Sequence, residues 1–254
     1  MPRWLATRVL SIGPAASGAA LGMALCLLGL APLGWRLGWW HYGFGLYRLF
    51  PASGAMAVVA VALSLATLAL GRSKLGPAAL ATLTLSLAIG ASLLYAPLHY
   101  AHVRRNLPPI NDISTDAADR PAFQAVLAAR AAESIDRTDM PEPRLSRLQQ
   151  AGYPDLAPIR TALPTGKALG EALAVAESMP GWTIVAVDLG AGRIEASQRS
   201  RWFGFTDDIA IRVAADAGGS RIDMRSASRK GTRDYGVNAA RIRAYMAALK
   251  RRIG

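Results

Sequence analysis

Three long runs without a charged side chain occupy most of the first hundred residues, and they constrain this chain more than any other feature. They are Pro14–Trp35, Ser53–Gly71 and Gly76–Leu98. Each approaches the ~20 apolar residues a membrane-crossing helix needs, and in hydrocarbon a helix satisfies its backbone groups internally. No acidic residue precedes Asp112. Residues 1–100 carry six charged side chains, all basic: Arg3, Arg8, Arg36, Arg48, Arg72 and Lys74. The other 23 Lys/Arg and all 17 Asp/Glu lie beyond residue 100. The sequence thus predicts a three-helix transmembrane region over 1–103 and a soluble domain over 104–254. A cleaved signal peptide is the alternative for the first run, but Leu33-Gly34-Trp35-Arg36 is a poor cleavage context and two more runs follow.

The first connection, Trp35–Pro51, holds Trp39, Trp40, Tyr42, Phe44 and Tyr47, an aromatic belt for the headgroup level. A lipid or quinone contact near His41 is the functional alternative to plain anchoring. The second connection is a tight basic turn at Arg72-Ser73-Lys74. With the N-terminus inside, Arg3, Arg8, Arg72 and Lys74 face Arg36, Arg48, Arg104 and Arg105 across the bilayer, a tie by the positive-inside count. The free amino group and the compact basic turn favour N-in, which places the soluble domain outside the cytoplasm. The spans carry no ionisable group at mid-depth, which argues against a transporter subunit with an ion pathway.

The soluble part has no His and no Cys: His41, His99, His102 and Cys26 all precede it. That excludes Ser-His-Asp and Cys-His catalysis and a His/Cys zinc site built from this domain alone. The acidic residues around Asp112 and Asp116 lack the calcium-loop spacing, so neither metal nor cofactor is expected. The +6 of residues 101–254 is interspersed with 17 acids, unlike a nucleic-acid-binding face.

Asn106–Pro121 reads as a linker stiffened by Pro108-Pro109. Ala122–Ser134 reads as a short helix, Asp136–Pro158 as irregular and Thr165–Met179 as an amphipathic helix. Thr183–Asp188 and Arg193–Gln198 form a hairpin with Val187 opposite Ile194 and Val185 opposite Ala196, leaving Glu195 and Ser197 on the other face. Asp207–Asp216 alternates cleanly, and a Gly218-Gly219 turn would set Val213 against Met224, Ile211 against Ser226 and Ile209 against Ser228. That register brings Asp208 to Arg229 as an exposed cross-strand ion pair. The last helix places Ile242, Tyr245, Met246 and Leu249 on one face, with Asn238 in line and Asp234 as N-cap. The expected class is therefore α+β: an antiparallel sheet packed by a C-terminal helix, behind membrane helices.

Polar residues crowd the far end of this arrangement: Asp207, Asp208, Arg225, Ser226, Ser228, Arg229, Asp234, Asn238 and Arg241. They read either as a hydrogen-bond network pinning the helix to the sheet or as a small polar binding site. Trp202, Phe203 and Phe205, bent at Gly204, read as core or as an aromatic patch facing a ligand or bilayer.

Several stretches resemble the domain of unknown function 1499 (DUF1499) family of bacteria and plant plastids. They are Pro108–Asp116, Tyr153–Pro158, Gly181-Trp182, Ile194–Ala196, Phe203–Asp208, Arg225–Gly231 and Asp234–Ile242, in order over roughly 106–250. Asn111 departs, since that family often carries His there, and no role of that His transfers. The resemblance implies a membrane-associated or exported globular domain and supplies no activity. Export signals in members of the family favour the periplasmic side of a bacterial inner membrane. Two functions follow as expectations. One is a non-enzymatic envelope domain that binds a lipid, glycan or protein partner beside the lipid bilayer. The other is an enzyme using Asp207, Asp208 or Asp234 with Arg225, Arg229 or Lys230 on an anionic or phosphorylated substrate.

Overall fold

A computed structural model describes residues 3–133 and 140–254. The final residue of the expected Ala122–Ser134 helix, and Asp136–Asp139 of the expected irregular stretch, lie outside the described residues. The chain divides into two compact units, Met1–His102 and Val103–Gly254.

In the first unit three helices are long and apolar enough to cross a membrane. They are α1 (Arg3–Arg36), α3 (Phe50–Gly71) and α4 (Pro77–Asn106). Between the first two lie a single turn, α2 (Tyr42–Phe44), and a π-helical turn over Gly45–Leu49; a 3₁₀ turn, Arg72–Lys74, joins the last two. Small residues let α1 and α3 approach closely. Ser17 Oγ and Ser64 Oγ lie 2.7 Å apart in this contact, and both hydroxyls reach the Ala60 carbonyl. His41 caps α2, its Nδ1 accepting from the Gly43 N–H at 3.2 Å, while Trp35 meets Tyr42 edge-on.

The second unit is an antiparallel sheet with helices on both faces. Its elements are β1 (Asp112–Ser114), α5 (Leu127–Glu133), α6 (Glu142–Gly152), β2 (Ile159–Thr161), α7 (Thr165–Ser178), β3 (Trp182–Asp188), β4 (Arg193–Arg199), β5 (Thr206–Asp216), β6 (Gly219–Ser228) and α8 (Val237–Ile253). Helices α7 and α8 pack on one face and α5 on the other. The order is β1-β6-β5-β4-β3, and β2 also pairs with β6. Ile194, Ile209, Ile211, Val213, Ile222 and Met224 turn one face into the core. Leu169, Ala172, Val175 and Ala176 of α7 and Ile242, Tyr245 and Leu249 of α8 cover it. The Tyr245 hydroxyl keeps a partner there, donating to the Ala172 carbonyl at 2.9 Å, and its ring stacks on Trp182.

Four local expectations need correction. The β5–β6 turn is Ala217-Gly218, with Gly218 at φ +80°, so Val213 faces Ile222, Ile211 faces Met224 and Ile209 faces Ser226. Gly219 serves β2 instead: a Cβ there would lie 2.1 Å from the Thr161 carbonyl oxygen. In the β3–β4 hairpin Val187 does face Ile194, but a β-bulge falls between Ile184 and Ala186, and Ile184 rather than Val185 opposes Ala196. The expected irregular stretch contains α6, because a proline at Pro143 sits in the first turn, where its missing N–H costs nothing. Finally, the expected linker contributes β1, and Ile159–Thr161 adds β2, both laid along β6.

Candidate functional site

Alternation along β5 and β6 divides the expected polar residues between the two faces of the sheet. On the helix side, Asn238 of α8 sits over the end of β6, fully buried. Its Oδ1 accepts from Ser226 Oγ at 2.7 Å, and its Nδ2 donates to Ser228 Oγ at 3.1 Å and to the Asn111 carbonyl at 3.0 Å. Arg241, one turn further along α8, donates to Ser226 Oγ at 2.8 Å, Gln198 Oε1 at 2.6 Å and Asp207 Oδ2 at 2.7 Å. Asp234 caps α8 from two residues before the formal N-cap, Gly236. Its carboxylate accepts from the N–H groups of Gly236 at 3.1 Å and Asn238 at 2.6 Å. Burial pushes Asp234 up to about 6, against those two hydrogen bonds.

The opposite face carries charge and alanine. Asp208, fully buried, is held by two arginines: Arg229 donates to its oxygens at 2.7 and 2.9 Å, and Arg130 at 2.7 Å. The hydrogen bonds from Arg229 to Asp208 raise the guanidinium pKa of Arg229. The expected Asp208–Arg229 pair thus forms, but diagonally and buried, since Asp208 faces Ala227. Segment 112–133 lies along this face through a row of ion pairs: Asp112 with Arg225, Asp116 with Arg221, Asp119 with Arg212, Arg130 with Asp208 and Glu133 with Arg229. Glu195, expected on the face of the hairpin away from its apolar side, is 1% exposed and accepts from the backbone N–H groups of Gln124, Ala125 and Val126. Phe123 packs with Val126, Ala210 and Ala227, and the guanidinium carbons of Arg130 and Arg225 each lie 4.6 Å from its ring centroid.

Beside this face is a cavity of about 430 Å³. Pro109, Ile110, Met140, Pro141 and Leu145 give it an apolar side; Arg130, Arg144 and Arg225, with Asp112 and Glu142, give it a charged one. Arg130 and Arg225 are already engaged by carboxylates, whereas Arg144 is exposed and its guanidinium meets no carboxylate among the described residues. Among the described residues no group of three His, Cys, Asp or Glu is arranged to hold a metal ion.

A family model described as protein of unknown function (DUF1499) matches residues 112–249, just over half of the chain. The chain belongs to the DUF1499 family. No curated protein and no solved structure matches it.

The match begins in β1 and ends in the last turns of α8, so the DUF1499 domain includes both polar faces and leaves the three apolar helices outside. Within it, the Ser200–Phe205 turn closes on itself. Ser200 N–H donates to the Phe205 carbonyl at 2.8 Å, and Phe205 N–H donates to Ser200 Oγ at 2.9 Å. Gly204 takes φ +72°, the bend expected there. Phe203 is buried and stacks on Phe205 at 5.2 Å, while Trp202 is 48% exposed. The aromatic patch therefore divides into a buried base and an exposed tip. Sequence reasoning missed Arg130, Phe123, Glu195 and Asp112 as partners of the DUF1499 polar face. It also missed the Asn111 carbonyl and Gln198 as partners of Asn238 and Arg241. Each joins segments tens of residues apart, and the pairing leaves no local pattern.

Proposed function

We propose that this chain is a membrane-tethered, non-enzymatic binding domain whose ligand is an anionic amphiphile of lipid type. The observation that carries this reading is the mixed cavity, with Pro109, Met140 and Leu145 on one side and the exposed Arg144 on another. Its size falls within the range of small-molecule sites, ~300–1,000 Å³. Its wall begins at Pro109, three residues after α4 ends at Asn106, so at most ~10 Å of chain separates wall and helix. A bilayer is a source of ligands of that chemistry. The enzyme reading has less support. Asp207 and Asp208 are engaged by Arg241, Arg130 and Arg229, and Asp234 is occupied capping α8, which leaves none of these three poised for proton transfer.

Native mass spectrometry of the full chain in mild detergent tests the reading. Wild type should retain one anionic lipid, and Arg144→Glu should lose it with an unchanged thermal midpoint. Retention of a glycan or protein instead, or of nothing, would overturn it. The proposed side of the membrane is the periplasmic face of a bacterial inner membrane. It rests on the free amino group and the compact basic turn, which favour N-in, and on the family resemblance; alkaline phosphatase fused at Gly254 should be active. Activity of a cytoplasmic reporter at Gly254 would reverse that orientation.

A further inference from the structure

The Ser200–Phe205 turn has no part in the cavity just described, yet it displays a tryptophan to solvent. Its place in the sheet is fixed by pairing. Arg199 faces Thr206, the Arg229 N–H donates to the Thr206 carbonyl at 3.0 Å, and the Ser228 N–H donates to the Asn111 carbonyl at 2.9 Å. The turn, the end of β6 and the segment leading in from α4 therefore lie at one end of the sheet. The Ala217-Gly218 turn lies at the other. Asn111 comes five residues after the end of α4, at most ~17 Å of chain. Arg199 is about three strand spacings from Asn111, ~15 Å sideways.

The chemistry of this end suits a headgroup layer. Trp202 is flanked by exposed Arg199 and Arg201, and exposed Arg104 and Arg105 close α4. No acid lies between Gln198 and Thr206, and the next, Asp207, is engaged by Arg241. Tryptophan concentrates at membrane–water interfaces, where its ring is buried to carbonyl depth while its N–H stays wet. Arginines beside it meet anionic headgroups. The stacked Phe203 and Phe205 and the closing hydrogen bonds hold the tip in one shape, so no ordering is needed on contact.

We propose that Trp202, with Arg199 and Arg201, forms an interfacial anchor seated in the headgroups of the bilayer that α4 enters. The anchor gives the domain a second point of attachment to that bilayer. The inference requires that the apolar helices cross a bilayer; it does not require the cavity to bind lipid.

The test uses the full chain in nanodiscs of phosphatidylethanolamine and phosphatidylglycerol. A fluorophore on the native Cys26, in α1, reports insertion through quenching by chain-attached nitroxide lipids. In a Cys26→Ala background, Trp202→Cys and Ala217→Cys are labelled in turn and exposed to headgroup-attached nitroxide lipids. Quenching at 202 should be several-fold stronger than at 217. Equal quenching at the two positions, with Cys26 quenched, overturns the anchor and leaves the membrane crossing intact. An unquenched Cys26 overturns both. A label at 202 that lipids do not quench but that is shielded from aqueous iodide also overturns the proposal. If Trp202→Cys lowers the thermal midpoint, Arg201→Cys carries the same label at the neighbouring position.

Discussion

Asp208 and Arg229 meet diagonally across β5 and β6, the carboxylate opposite Ala227 and the guanidinium reaching back to it at 2.7 and 2.9 Å. Arg130 closes the other side of the same carboxylate. Coulomb attraction between groups this buried is offset by their desolvation, so the pair is no large net source of stability. Removing one member is different, because it strands the others. Asp208→Ala leaves Arg130 and Arg229 buried without their shared anion and should destabilise the domain by about 3–5 kcal/mol. For a domain of this size that lowers the thermal midpoint by roughly 10 °C. A shift of a degree or two, read by near-ultraviolet circular dichroism, would show that water already reaches the pair.

The Asn238 side chain has four partners: Ser226 and Ser228 of β6, the Asn111 carbonyl ahead of β1, and Arg241 one turn along α8. Asn238→Leu keeps the branched heavy-atom outline and removes every side-chain hydrogen bond. With ~1–3 kcal/mol for each buried group left unmet, the loss should reach at least about 2 kcal/mol. A variant as stable as wild type but unable to retain ligand would instead make this cluster a site.

Asp234 sets a pH dependence with a definite sign. Its folded value, about 6, lies above the ordinary 3.8. Between those values the folded protein holds a proton that the unfolded chain has released, so stability falls as pH rises from about 4 to 6, by at most about 3 kcal/mol. Asp155 acts oppositely and lower. The hydrogen bond from Arg243 holds it below the ordinary carboxylate range, so its contribution is lost only as pH falls below about 4. Asp234→Asn should flatten the thermal midpoint between pH 4 and 6 and leave the acid limb in place. An unchanged slope there would assign the dependence to another group.

The two glycines at the β5–β6 turn should respond unequally. Gly218→Ala puts a methyl group into open space at φ +80°, a left-handed strain of roughly 1–2 kcal/mol. Gly219→Ala drives a methyl against the Thr161 carbonyl and Ala162, so β2 must separate from β6, and the loss should exceed that at Gly218. Equal losses, measured by chemical denaturation, would contradict the close β2–β6 approach.

The alternation of Asp207–Asp216 made β5 legible, and the three- and four-residue spacing of Ile242, Tyr245 and Leu249 made α8 legible. The β5–β6 register was misread by two residues, yet each residue kept its face because side chains alternate with period two. That is why Asp208 and Arg229 could be paired from a wrong register. Three-residue strands such as β1 and β2 have no period to detect, and their pairing with β6 is tertiary. The bulge at Val185 likewise has no marker in its residues. At the polar faces, Ser226, Ser228 and Asn238 could be gathered from strand and helix phase alone. The arginine–carboxylate row could not, because three of its anions, Asp112, Asp116 and Asp119, come from a segment that local pattern assigns to a linker.

The bulge between Ile184 and Ala186 bears on how this sheet tolerates company. β3 is an outer strand with Val185 and Val187 partly exposed and no proline or lysine along it, a composition that invites another chain to add on. The extra residue breaks its rhythm of outward-facing amide groups at the middle. At the far edge, β1 and β2 divide the border of β6 into two pieces of three residues. Neither border then offers an unbroken template, and the domain is protected from strand-by-strand aggregation.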